Sequence, residues 1–208
     1  LARQQLAEEA FHVEAVRAGQ PSGKHDHYLA AFGGLTCLDI DTQGVVTVSD
    51  LQMSLHDVEE LRNNMVLFYT GITRESFDIL SQQEADTLRG ASEVVDSLHE
   101  VKDLGLQIKA ALQQGKLDRF GELLHSHWET KKRRSAKVSN AKIDAYYDLA
   151  RRHGALGGKL MGAGGGGFLM FYCPASDRRQ LREAMAAEGL PEMSFHFDDE
   201  GAKVLMNA

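Results

Sequence analysis

Two stretches, far apart in the chain, hold the residues best suited to chemistry. The first is Pro21-Ser-Gly-Lys-His-Asp-His-Tyr28, with Asp26 flanked by His25 and His27. Asp26 stands just before an expected helix, where local N–H groups and the helix dipole keep a carboxylate ionised. Such a group can accept the proton of a substrate hydroxyl. The alternative is a capping aspartate with no chemistry. Glu14 precedes it near the C-terminal end of an expected helix. Its carboxylate is the hard oxygen donor that Mg²⁺ requires, or it is a surface glutamate.

The second stretch runs from Gly154 to Cys173 and places eight glycines in its first fourteen residues, then turns apolar at Phe168-Leu-Met-Phe-Tyr172. Each ordered glycine costs roughly 0.5–1 kcal/mol more than an alanine, so bare backbone must be needed there. Positive φ angles supply one need, and a phosphate pressed against main-chain N–H groups supplies another. Gly162-Ala-Gly164-Gly-Gly-Gly167 formally fits G-x-G-x-x-G, but that fingerprint opens a helix and this run opens a strand. A P-loop is excluded because Leu160 follows Gly158-Lys159 and His153 replaces the required upstream glycine. A glycine turn without a ligand remains open.

The pairs His25-x-His27 and His125-x-His127 suggest zinc at first sight. Alternate residues share a face only on a strand, and His125 to His127 lies in a helical pattern. No Cys or further His sits at a useful spacing, so all four read as structural.

The elements that must position these groups follow from periodicity. Residues 2–18 and Tyr28 to Phe32 read as helices; Leu35 to Ile40 and Val45 to Val48 read as a hairpin across Asp41-Thr-Gln-Gly44. Met65 to Tyr69 is a buried strand. Leu88, Ala91, Val95, Leu98, Val101, Ile108 and Leu112 form a helical stripe that stops near Gly115. Two more helices carry Leu117 to Trp128 and Ile143 to Ala150. Strand 167–172 follows the glycines, then a helix at about 177–188. Ser194 to Asp198 and Ala202 to Met206 read as a closing hairpin. The pattern predicts an α+β fold with a seam near residues 50–64.

With 208 residues, 43% of them hydrophobic and 25% charged, the chain can form one large domain or two small ones. A net charge of −7 argues against nucleic acid as partner, and Lys131-Lys-Arg-Arg134 reads as a solvated helix face. Cys37 and Cys173 match no metal spacing and suit a reducing cytoplasm. No apolar run reaches the ~18–20 residues that cross a membrane. Leu1 already stands within a helical pattern that has no N-cap, so the natural N-terminus is expected upstream.

Gly157-Gly-Lys-Leu-Met-Gly-Ala-Gly-Gly-Gly-Gly-Phe168 resembles the third glycine motif of the galactokinase, homoserine kinase, mevalonate kinase and phosphomevalonate kinase (GHMP) superfamily. "PSGKHDHYLAAFGG" resembles its segment holding the catalytic aspartate. "EEAFHVE", "LFYTGITR", "HSHWETKKRRS" and "FHFDDEGAKVL" echo the branch of D-glycero-D-manno-heptose 7-phosphate kinases, and the resemblance spans essentially the whole chain. It implies the end of a ribosomal-protein-S5-domain-2-like N-terminal domain (residues 1–55) and a ferredoxin-like C-terminal domain (residues 56–208).

The resemblance further implies ATP, Mg²⁺ and a small sugar phosphate as ligands, with oligomeric state left open, a homo-oligomer included. It puts Asp26 at the catalytic base position, Glu14 at a magnesium-binding position, and Gly162, Ala163, Gly164, Gly165 and Gly166 beside the nucleotide phosphates. Lys24 and Arg74 are expected to bind the substrate's own phosphate. Other GHMP branches, acting on galactose or mevalonate, and a non-catalytic binding homologue are the alternatives. The superfamily's Gly-Leu-Gly-Ser-Ser-Ser-like phosphate loop is absent from the 208 residues. It is expected upstream, in roughly 100 further residues, a small domain's worth. The chain alone is therefore expected to be inactive or nearly so. The whole reading expects Asp26 and the glycine loop to face one shared cavity.

Overall fold

The computed structural model describes residues 2–73, 81, 92–134 and 137–205. They form two compact units: Leu1–Gln52 together with His196–Ala208, and Met53–Phe195. This grouping differs from a division at residue 55, because the closing segment packs with the opening one.

In the first unit, α1 (Arg3–Phe11) runs directly into a π-helical stretch, His12–Arg17, where Ala18 N–H donates to Val13 O at 2.9 Å. Helix α2 (His25–Phe32) ends at Gly33, whose φ of 70° only glycine adopts freely. Strands β1 (Thr36–Ile40) and β2 (Val46–Asp50) pair antiparallel, with Ile40 opposite Val46. Their turn forms as expected. Asp41 Oδ1 accepts from Gln43 N–H (2.8 Å) and Val45 N–H (2.9 Å), and Gly44 takes φ 76°. A small core of Ala7, Tyr28, Ala31 and Val46 holds these elements together.

The expected closing hairpin does not form among the described residues; Met206 lies outside them. Asp198 closes a local turn instead, its Oδ1 accepting from Glu200 N–H (2.9 Å) and Gly201 N–H (3.2 Å). Its carbonyl accepts from Gly34 N–H at 2.7 Å. The alternation that suggested a strand thus serves a loop docked on the end of α2.

In the second unit, α3 (Leu55–Asn64) was not expected, since only Leu61 and Asn64 on it are buried. Ser54 caps it, accepting from Asp57 N–H at 3.0 Å. Then come β3 (Met65–Tyr69), α4 (Ser92–Gln113), α5 (Leu117–Arg134), α6 (Ala141–Arg152), β4 (Gly157–Leu160), β5 (Phe168–Tyr172) and α7 (Arg178–Ala187). Leu88 and Ala91 of the expected stripe lie outside the described residues.

The sheet has order β3-β5-β4, antiparallel throughout, with Phe68 opposite Leu169 and Leu160 opposite Leu169 on the other side. One core joins it to the helices: Phe68, Leu160, Leu169 and Phe171 from strands, Trp128 from α5, Tyr147 from α6, Leu181 and Met185 from α7. Trp128 is fully buried, and truncating such a side chain to alanine costs about 3–5 kcal/mol. Two glycines let α5 approach β4 closely: a Cβ on Gly157 would lie 2.0 Å from Gly121 O. That approach is why β4 carries no side-chain pattern of its own.

Candidate functional site

Asp26 sits in the first turn of α2, where the dipole favours its charge. The residue at the cap position, Lys24, makes no side-chain cap bond, and Asp26 itself accepts from no backbone N–H among the described residues. Its side chain is 80% exposed, with Oδ1 3.2 Å from His25 Nε2. A carboxylate so placed is free to meet an incoming hydroxyl. Glu14 lies in the π-helical stretch, a distortion that recurs at functional sites. Its Oε2 is 2.6 Å from Nε2 of the buried His27, and the Glu14 side chain stays half exposed. His27 Nδ1 is buried without a partner, which fits a ring protonated on Nε2 and donating to Glu14.

Magnesium needs near-octahedral oxygen ligation and commonly takes one or two carboxylates plus phosphate and water. Glu14 fits that role. One carboxylate oxygen is fixed by His27, and the other meets no protein donor among the described residues. The one close cluster of three acidic or histidine ligands among the described residues is elsewhere, His56, Asp57 and Glu60 on the exposed start of α3.

Lys24 does not project as a free cation. Its Nζ donates to Glu8 Oε1 (2.8 Å), Glu8 Oε2 (2.9 Å) and Gly44 O (2.8 Å). Tyr28 O–H donates to the same Glu8 at 2.5 Å. The Lys24 bond, then the Tyr28 bond, holds the Glu8 carboxyl below its ordinary value, and burial pushes the Tyr28 hydroxyl up to about 12. Glu8 was not singled out from the sequence; its signal was only its place one turn and a half before Glu14. Arg74 lies outside the described residues.

The glycine run is the connection between β4 and β5, closed by Met161 N–H donating to Phe168 O at 2.8 Å. Gly162, Gly164, Gly165 and Gly167 all have positive φ. Gly165 N–H donates to Val138 O (2.8 Å) and Gly167 N–H to Ile72 O (2.9 Å). A Cβ on Gly164 would lie 2.9 Å from Val138 backbone, and one on Gly166 2.5 Å from Ile72 O. Much of the glycine requirement is therefore internal. Gly162 differs, since nothing lies within 4 Å of an added Cβ. Among the described residues no backbone acceptor meets the N–H of Ala163, while Gly164 closes a turn that starts at Met161. Bare amides in a tight turn form a concavity suited to an anion.

Lys131, which the sequence reading left on a solvated face, donates from Nζ to Gly162 O at 2.7 Å. Its neighbour Lys132 lies over Trp128 and Tyr147. His125 Nδ1 meets Tyr147 O–H at 3.0 Å, and burial lowers its proton affinity. Burial also pushes the Cys173 thiol up to about 11, which removes it as a nucleophile near neutral pH.

Asp26 and Glu14 belong to the first unit and the glycine loop to the second. Residues 108–190 match the family described as GHMP kinases C terminal. The chain is 30% identical over 203 residues to D-glycero-alpha-D-manno-heptose 7-phosphate kinase of Campylobacter jejuni, covering 98% of this chain and 59% of that protein. A crystal structure of a D-glycero-D-manno-heptose 1-phosphate kinase from Bacteriodes thetaiotaomicron aligns with TM-score 0.73 and 27% identity, over 99% of this chain and 57% of that one. Lactococcus lactis galactokinase, solved with galactose, shares the fold at TM-score 0.68 and 18% identity, over 97% of this chain and 60% of its own. The chain thus spans somewhat more than half the length of the relatives it matches. No helix among the described residues is long and apolar enough to cross a membrane; the chain has the α+β fold of these kinases, and its residues 108–190 match the GHMP kinase C-terminal family.

Proposed function

We propose that the protein is an ATP-dependent sugar kinase that transfers the γ-phosphoryl group to the anomeric hydroxyl of a phosphorylated heptose. The observation that carries this reading is the β4–β5 loop, where the Ala163 amide meets no backbone acceptor among the described residues and is open to an anion. The near-full-length similarity to a heptose 7-phosphate kinase supports the choice of sugar. On this reading, residues 1–55 close the N-terminal kinase domain and 56–208 form the C-terminal one, working in the cytoplasm.

Phosphoryl transfer asks for positioning and charge stabilisation more than covalent work by the protein. Asp26 accepts or orients the proton of the sugar hydroxyl. Glu14 would hold Mg²⁺, which when bound supplies positive charge to offset that of the nucleotide phosphates. The Gly162–Gly166 backbone lines the phosphates at close range, with the Ala163 N–H open to them and Gly165 N–H kept by Val138 O. These roles require Asp26 and the loop to meet one ligand. Arg74 is the residue proposed to take the sugar's own phosphate.

The test is ADP release by the protein expressed from its complete reading frame. The panel is D-glycero-D-manno-heptose 7-phosphate, the 1-phosphate, galactose and mevalonate. The 7-phosphate is expected to give the highest kcat/KM; no turnover with any of them would overturn the kinase reading. Asp26→Asn is expected to leave ATP binding nearly intact and to lower turnover by at least ~10²-fold. The 208 residues alone hold no Ser-rich phosphate loop and are expected to turn over essentially nothing.

A further inference from the structure

We infer that Lys24 is a positioning residue that fixes the first turn of α2, and not a ligand for the substrate's phosphate. An ammonium group has three N–H donors. All three are committed inside the first unit, two to Glu8 and one to Gly44 O. The Lys24 side chain is only 20% exposed, and its Nζ lies 5.4 Å from the centroid of the Phe11 ring. To reach a phosphate it would have to leave Glu8 and Gly44 together. Glu8 would then keep a charge with only the Tyr28 hydroxyl to meet it.

The three partners come from three different elements. Glu8 is on α1, Gly44 is in the β1–β2 turn, and Lys24 is the residue that begins α2. Their meeting therefore fixes where α2 starts, two residues before Asp26. The same α1 continues into the π-helical stretch that carries Glu14, and His27 on α2 reaches back to that glutamate. One ionic tie and one imidazole thus span the same pair of elements. Together they set the separation of the two carboxylates. This inference rests on the kinase reading for the meaning of that separation, but the tie itself is independent of it.

The experiment compares Lys24→Met, Glu8→Gln and the double variant in the full chain by amide hydrogen exchange. Each single change is expected to speed exchange at Tyr28 to Ala31 by about tenfold or more, the double no further, with α7 unaffected. Exchange in both single variants within about twofold of wild type would overturn the inference. Should Lys24→Met fail to fold, Glu8→Gln keeps the shape while removing the charge, and carries the same test.

The kinetic arm uses the protein from the complete reading frame. Lys24→Met is expected to lower kcat about tenfold with KM for the sugar phosphate within about twofold, and Lys24→Arg to restore part of the loss. A rise in that KM of about tenfold with kcat and exchange unchanged would assign Lys24 to the substrate and overturn the inference. A wild-type protein with no turnover would sink the kinase reading alone. The exchange result would still decide whether Lys24 holds α2.

Discussion

Asp26 and the β4–β5 loop are held in place by opposite means. The start of α2 is fixed by side chains: Lys24 on Glu8, Tyr28 on Glu8, His27 on Glu14. The loop is fixed by backbone, with Gly165 and Gly167 donating to the carbonyls of Val138 and Ile72. A side-chain tie can be weakened in small steps, because a neutral or shorter group still fits the space. Backbone packed on backbone has no such tolerance, and a single methyl group is enough to force a shift. The first unit should therefore answer mutation gradually and the loop abruptly.

Gly164→Ala breaks the comparison hardest. It puts a Cβ at φ 113° and 2.9 Å from Val138 backbone, so a loss of about 2–4 kcal/mol is expected in urea unfolding. Gly162→Ala sharpens it. The position has φ 70° and open space around the new methyl, so only the backbone strain of about 1–2 kcal/mol remains. If the loop holds phosphates, this milder variant should lose more nucleotide affinity than stability, read by calorimetric titration of ATP. An unchanged affinity would detach Gly162 from the ligand.

On the other side, Tyr28→Phe removes one hydrogen bond to Glu8 while keeping the ring, for an expected loss of about 1–2 kcal/mol. The smallest effect is that of pH. The Glu8 carboxyl is held below its ordinary value of 4.5 by Lys24 first and Tyr28 second. Its contribution is fully present above that value and is lost as pH falls through the lower folded one. Glu8→Gln should flatten this part of the acid limb of the unfolding curve. An identical slope in both proteins would deny Glu8 that role.

What could be read from sequence follows the same divide. Strands β3 and β5 announce themselves as apolar runs because Val66, Phe68, Leu169 and Phe171 on them are fully buried. Strand β4 stays invisible because Gly157 and Gly158 are chosen for lack of side chain against Gly121 O and Met170 O. Helix α3 shows no stripe, with Leu55 almost wholly exposed. At the candidate site, Asp26 was legible from its place before a helix. The partners of Lys24 were not, since Glu8 and Gly44 are brought to it by tertiary packing alone. The glycines were read as serving a tight turn, a ligand or both, and the share of them that serves Val138 and Ile72 could not be seen without the fold.

The return of residues 198–201 to the end of α2 has a bearing on how the chain is made. Arg3 donates to Glu200 O at 3.1 Å and Gly34 to Asp198 O, so the segment that carries α1 and α2 is completed by residues that leave the ribosome long after it. Everything from Met53 to Phe195 must emerge before that closure can occur. Contacts of such long sequence separation are slow to form. Helices α1 and α2 are thus synthesised well before they are secured, and the interval between is when they are open to proteases and chaperones.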